Sequence, residues 1–323
     1  MVRGVGEFAH IPVLLDEVAG ALAPAAGETY VDATAGLGGH AASVGERLGG
    51  SGTIVLNDVD PANAVRAAAR VGAMPDPPVV HAVTGNFVDL PRRLAELGVA
   101  ADMMLADLGF ASNQVDDAGR GLSFRREGPL DMRLDPSLKA TAADLVNTLP
   151  EAELAELIRT LGEERGARRI AAKIVATRAE SPIRTTSELA AVVRDAVGGR
   201  PTPRASARRS TGRAPIDPAT KTFQAMRIAV NDELGCLDAL LEAIERDASR
   251  AVGAAGRWLA SGARVAILTF HSLEDRPVKR SFAQLVKRGR AEAIVRKPAS
   301  ASADEVDANP RARSARLRAI RLV

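Results

Sequence analysis

The chain has 323 residues, enough for one large domain or two of ordinary size with a real core, and its 46% hydrophobic and 26% charged residues exclude fibrous, low-complexity and disordered classes. No charge-free run of 18 apolar residues occurs, and a net charge of +3 with a pI near 9.3 leaves room for a polyanionic partner. A single cysteine excludes an internal disulfide, and His10, His40, His81 and His271, with no Cys or His at ligand spacing, predict no metal site. The protein is expected in the cytoplasm and away from the membrane.

Apolar runs bounded by turn residues recur in the first third: TYVDAT at 29–34, TIVLND at 53–58, VVHAV at 79–83 and ADMMLADLG at 101–109. Each reads as a buried strand. Alanine-rich segments at 40–48 and 61–71 carry a helical pattern between them. That βαβαβ order predicts an α/β fold, a doubly wound and mostly parallel sheet with right-handed crossovers.

From about 115 to 216 strand signals vanish. Helical stretches follow one another: TAADLVNTL, a long run from EAELAELIRTL through KIVATRAE, and TSELAAVVRDAV, the last opening at Thr186 or Ser187 before Glu188 and closing at Gly198-Gly199. Residues 200–215, RPTPRASARRSTGRAP, hold five arginines and no acid and are expected to form a flexible loop. Helical pattern then resumes in ATKTFQAMRIAVNDELGCLDALLEAIERD. ARVAILTF at 263–270 is a further buried strand, LEDRPVKRSFAQLVKR a helix and LRAIRLV a last strand. The expected organisation is a sheet domain of residues 1–115 and 217–323, split by a helical substrate-recognition domain at 116–216.

The stretch YVDATAGLGGHA runs the first strand into a glycine turn. Gly36, Gly38 and Ala41 satisfy G-x-G-x-x-G/A, and Asp58 follows 22 residues after Gly36 at the end of the second strand, where an acid can accept from ribose hydroxyls. NAD, FAD and S-adenosylmethionine all fit that pattern. Two acids shift the balance towards a sulfonium. Asp32 at the end of the first strand would oppose a pyrophosphate and suits the cationic methionine end. Asp107 ends the fourth strand at the edge where open α/β sheets bind ligands, placed to accept from the N–H groups of an amine being methylated.

Seven segments then appear in order: HIPVLLDEV (10–18), DATAGLGGH (32–40), DLGFASNQVDDAGRGLSFRREGPLDMRLD (107–135), GEERGARRIA (162–171), DPATKTFQAMRIAVNDEL (217–234), FHSLEDRPVK (270–279) and NPRARSARLR (309–318). Together they resemble the bacterial 16S ribosomal RNA cytosine-N4 methyltransferase family, the MraW type, over essentially the whole chain. The resemblance implies a Rossmann-like S-adenosylmethionine-dependent methyltransferase fold. It also implies methylation of the N4 amine of one cytidine in the decoding region of 16S ribosomal RNA. By matching motif, it assigns S-adenosylmethionine to Gly38, Gly39, His40, Asp58, Phe87, Asp107 and Gln114. Phe110-Ala111 stand where the family usually shows Val-Ser, and Asp217 stands where a histidine usually precedes Pro-Ala-Thr.

The substrate side is read from charge. A cytosine C5 methylase needs a thiolate, but Cys236 falls in a helical stretch away from any strand end. Amine methylation needs alignment instead. Arg120, Arg125, Arg126 and Arg133 sit among turn residues suited to phosphate contacts, with Arg120 and Arg133 the leading candidates. His271 and Asp275 follow the strand at 263–270 at the ligand edge and are further substrate candidates. Residues 277–323 carry twelve basic and four acidic side chains, a net +8, suited to an RNA track. Nine aromatic residues in all offer few stacking platforms, so recognition is expected to rest on shape and phosphates of an assembled small ribosomal subunit. A NAD-dependent oxidoreductase and a non-catalytic RNA-binding factor are the alternatives that cofactor binding separates.

Overall fold

A computed structural model describes residues 12–198, 217–250 and 256–323. The chain runs α1 (Leu15–Leu22), β1 (Thr29–Asp32), α2 (Gly39–Leu48), β2 (Thr53–Asp58), α3 (Pro61–Gly72), β3 (Val79–Thr84), α4 (Leu90–Leu97) and β4 (Ala101–Asp107). Six helices follow: α5 (Ser112–Asp116), α6 (Ala142–Thr148), α7 (Glu151–Leu161), α8 (Ala167–Glu180), α9 (Thr186–Ala196) and α10 (Ala219–Asn231). The last part holds α11 (Glu233–Ala248), β5 (Leu259–Thr269), α12 (Ser272–Lys287), β6 (Ala291–Ala293), α13 (Ala303–Ala308) and β7 (Arg316–Leu322).

The seven strands form one sheet in the order β3-β2-β1-β4-β5-β7-β6, with β7 antiparallel to its neighbours β5 and β6. The pairs from β3 to β5 are all parallel. The winding reverses between β1 and β4, and such a switch point opens a crevice at the carboxyl ends of the strands. The reversed β7 departs from the 3-2-1-4-5-6 order of dinucleotide-binding sheets.

Both faces of the sheet are covered along its central strands, which is why β1, β2, β4 and β5 read as continuous apolar runs. The segment at 79–83, expected to be buried as well, forms the edge strand β3, none of whose residues is buried and whose Val79 is 54% exposed, because no strand covers its outer side. In β4, Met103 and Leu105 join one core while Met104 and Ala106 join the other, as the period of two along a strand requires. On the first face Leu22 of α1, Val44 and Leu48 of α2 and Val71 of α3 pack with Tyr30, Ile54 and Leu56. On the second, Leu94 of α4, Leu240 and Ile244 of α11 and Phe282 of α12 pack with Val31, Val55 and Ile267. Truncating one of these buried leucines to alanine costs about 2–5 kcal/mol.

The chain separates into two compact units, one of residues up to 111 and from 234 onward, the other of residues 112–233. Helix α10, which the sequence reading places with the sheet, packs in the helical unit: Phe223, Met226 and Val230 share a core with Leu154, Ile158, Ile170 and Ile174. Its apolar stripe says that it has a partner but not which one. The long helical run breaks into α7 and α8 at residues 162–166, where a Cβ on Gly162 would lie 2.6 Å from the Lys221 carbonyl oxygen and Glu163 turns left-handed at φ 47°.

Helix α9 is capped by Thr185, not by Thr186 or Ser187. The Glu188 amide donates to Thr185 Oγ1 at 3.2 Å, and the Thr185 amide donates to Glu188 Oε2 at 2.9 Å. That reciprocal box fixes the cap three residues before the glutamate. The arginine-rich loop at 200–215 lies outside the described residues.

Candidate active site

The crevice at the β1/β4 switch point is built by backbone first. Beyond β1 the chain stays tied to both neighbours, Ala33 N donating to Leu105 O and Ala35 N to Asn57 O, each at 2.8 Å. The buried Asn57 amide donates to the carbonyls of Ala33 and Gly85 at 3.0 Å, holding the ends of β1 and β3 beside its own strand. The glycine turn follows with left-handed Gly36 (φ 51°) and Gly38 (φ 73°). A Cβ on Gly38 would come within 2.8 Å of Ala67 Cα, and one on Gly39 within 2.4 Å of Pro12 Cγ. These glycines bring α2 against α3 and the chain before α1, before any ligand is considered.

Asp58 closes the turn. Its Oδ2 accepts from Gly36 N and its Oδ1 from Asp60 N, both at 2.8 Å. Burial nevertheless pushes its carboxyl up to about 6 against those bonds. Asp32 accepts from the Tyr30 hydroxyl at 3.1 Å and from Thr34 N at 3.2 Å, and burial lifts it to about 7. Burial, then the Asp32 carboxylate beneath it, holds the Tyr30 hydroxyl well above its ordinary range. Asp107 is pushed highest, to about 8, by burial first and then by the charges of Asp32 and Glu274. Thr34 links two of the three acids: its amide donates to Asp32 and its Oγ1 accepts from Asp107 N at 2.7 Å.

Three carboxylates thus gather at one sheet edge with too little positive charge to ionise easily, a donor set that a cation relieves. Asp107 keeps 28% of its side chain open, so a ligand can reach it. Buried His40 places Nε2 3.7 Å from Asp107 Oδ2. Phe87 follows β3 in a single turn that Asn86 caps by accepting from Val88 N, half-buried against the second core. The sulfonium and ammonium of S-adenosylmethionine fit this donor set, and a pyrophosphate does not.

The other expected residues fall elsewhere. Gln114 is buried on α5, in the helical unit. In the same unit Arg133 clasps Asp131 through Nε and Nη2 at 2.8 and 2.7 Å and donates to Leu138 O at 2.7 Å, so its fork is committed to its own loop. Arg120 donates to Leu134 O at 3.3 Å. His271 is the N-cap residue of α12, with Nε2 3.2 Å from Glu274 Oε1. Asp275 accepts from Arg318 Nε and Nη2 at 2.8 and 3.0 Å; burial pushes its carboxyl up, but Arg318 and Arg316 outweigh that and hold it low.

Two residues that the motif reading passed over contribute here. Thr34 is one, and buried Glu274, which accepts from Phe270 N at 2.8 Å and bears on Asp107, is the other. The S-x-x-E spacing was absent as a cue, because His271 occupies the cap. Asp217 ion-pairs with Arg194 at 2.8 Å and accepts from Ala219 N at 2.9 Å, so at this departure from the family pattern the residue anchors the start of α10.

Acid at the switch point and a reversed β7 set this sheet apart from the dinucleotide enzymes, and the fold is the Rossmann-like fold of the methyltransferases. The model of the MraW methylase family matches residues 7–323, and the chain belongs to that family. Proteins named ribosomal RNA small subunit methyltransferase H are similar along its length. The one from Symbiobacterium thermophilum is 45% identical, over 97% of this chain and 96% of that protein. The one from Geotalea uraniireducens is 44% identical, over 98% and 99%. The one from Koribacter versatilis is 42% identical, over 98% and 95%.

Proposed function

We propose that this chain methylates the exocyclic N4 amine of one cytidine in the decoding region of 16S ribosomal RNA, acting on the small ribosomal subunit in the cytoplasm with S-adenosylmethionine. The observation that carries the reading is the crowding of Asp32, Asp58 and Asp107 at the β1/β4 crevice, which suits a cationic cofactor and opposes a phosphate. The names of its relatives support a small-subunit RNA substrate.

When bound, S-adenosylmethionine supplies a methyl group on a positively charged sulfur. The chain does the rest. Gly38, Gly39 and His40 form the floor of the turn, Asp58 accepts from the ribose, and the Phe87 ring offers a face for the adenine. Gln114 is assigned to the cofactor on the family match. Asp107, ionised once a cation sits beside it, accepts a hydrogen bond from the N4 amine and so keeps the nitrogen lone pair available for the methyl. With the cofactor bound, Asp107 would also take the proton that the amine gives up on methylation. His271 and Asp275 shape the substrate side, and Arg120 and Arg133, each bonded within its own loop of the helical unit, are assigned to the substrate on charge alone.

Mass spectrometry of 16S RNA nucleosides tests the reading directly. Cells lacking the gene are expected to lose one N4-methylcytidine, and the purified chain to restore it on their small subunits. An unchanged nucleoside profile would remove the substrate assignment. Calorimetric binding of NAD in place of S-adenosylmethionine would remove the cofactor.

A further inference from the structure

The ligand edge of the sheet unit holds a cavity of about 430 Å³ just past the end of β5, lined by the start of α12 and the chain entering β7. Because β7 is antiparallel to β5, Arg316 stands opposite Thr269, and the chain entering β7 arrives over the carboxyl end of β5. Arg276, Arg313 and Arg316 line the cavity with the hydroxyls of Ser300 and Ser314 and one carboxylate, Asp275. All three arginines are exposed. Asp275 answers one charge at most, and its oxygens accept from Arg318 at 2.8 and 3.0 Å. It also sits 3.7 Å from Arg316 Nη1, steadying that guanidinium. The amino end of α12 adds little, because Glu274 already accepts from the amides of Phe270 and His271.

We infer that this cavity binds a phosphodiester of the RNA strand whose base is presented to the acidic crevice. Planar guanidinium forks match phosphate oxygens in pairs, and serine hydroxyls donate to the same oxygens. The volume admits a sugar-phosphate unit, more than a bare ion needs. The lining repels a sulfonium, so this cavity and the crevice sort the two ligands by charge. A base turned out of its stack must be held by the backbone on either side of it, and a phosphate anchor on the same sheet edge supplies one such hold. The inference rests on the RNA reading above.

The test uses the full chain and small subunits from cells lacking the gene. Wild-type transfer of labelled methyl to 16S RNA is measured first. The KM for subunits is then followed from about 50 to 200 mM salt. Arg313→Ala and Arg316→Ala are each expected to raise KM several-fold and to lower the slope of log affinity against log salt by about one. Lysine at either position is expected to recover most of that slope, and calorimetry to show S-adenosylmethionine affinity within twofold of wild type. Wild-type KM and slope in both alanine variants, with normal methylation by the unaltered chain, would overturn the inference alone. No transfer by the unaltered chain would overturn the RNA reading and this inference with it.

Discussion

Two stretches of one sheet edge differ in sign. Around β1, β2 and β4 the edge gathers buried Asp32 and Asp58 and partly open Asp107, pushed up to about 7, 6 and 8. Around β5 and β7 it gathers Arg276, Arg313 and Arg316 about an acid already held by Arg318. Burial opposes the charge of the acids, whereas the three arginines stand exposed at the surface. A small cation and a polyanion can therefore meet at one edge without competing for a site, and the reversed β7 is what delivers the second charge.

The largest break in that contrast is expected from Asp107→Ala, which should lower turnover at saturating cofactor by about 10²–10⁴ in single-turnover methyl transfer. Near-normal turnover would exclude Asp107 as the amine's acceptor. Asp58→Ala should weaken S-adenosylmethionine by about 10–100-fold in calorimetry, since a charged hydrogen bond is lost and Gly36 N is released.

Acidity sharpens the comparison further. Meeting a cation lowers the carboxylates' pKa values, so binding expels protons and S-adenosylmethionine affinity should rise from pH 6 to 8, by about tenfold per pH unit for each proton released, then level off. A flat profile would remove the cation from the crevice.

The smallest effect is on stability. A carboxyl whose pKa rises on folding favours the native state fully below its unfolded value, and that contribution is lost as pH climbs through about 8. Asp107→Asn should therefore raise the Tm of the ligand-free protein more at pH 9 than at pH 5, as calorimetric melts would show.

Much of this edge was legible in the residues. Strands buried on both faces announce themselves as apolar runs, and Asp32, Asp58 and Asp107 end three of them. The arginine cavity was legible only as net charge, because Arg316 is brought beside the start of α12 by the antiparallel pairing of β7 with β5, which no local pattern encodes. Strand β6, three residues long, was too short to show a period. The apolar stripe of α10 names no partner, and a turn position says nothing of the Asp131 carboxylate and Leu138 carbonyl that occupy Arg133. Charge type reads from sequence, whereas whether a charge is already spoken for does not.

The split sheet also sets a timetable for synthesis. Strand β4 ends at Asp107 and its partner β5 begins at Leu259, so at ordinary translation rates β4 waits roughly 8–30 s with one edge unpaired. Over that interval the helical unit, with a core of its own, emerges and gains the means to fold first. The amino-terminal strands then complete their sheet only when nearly the whole chain has left the ribosome, a nascent-chain vulnerability for a protein whose own substrate is proposed to be ribosomal.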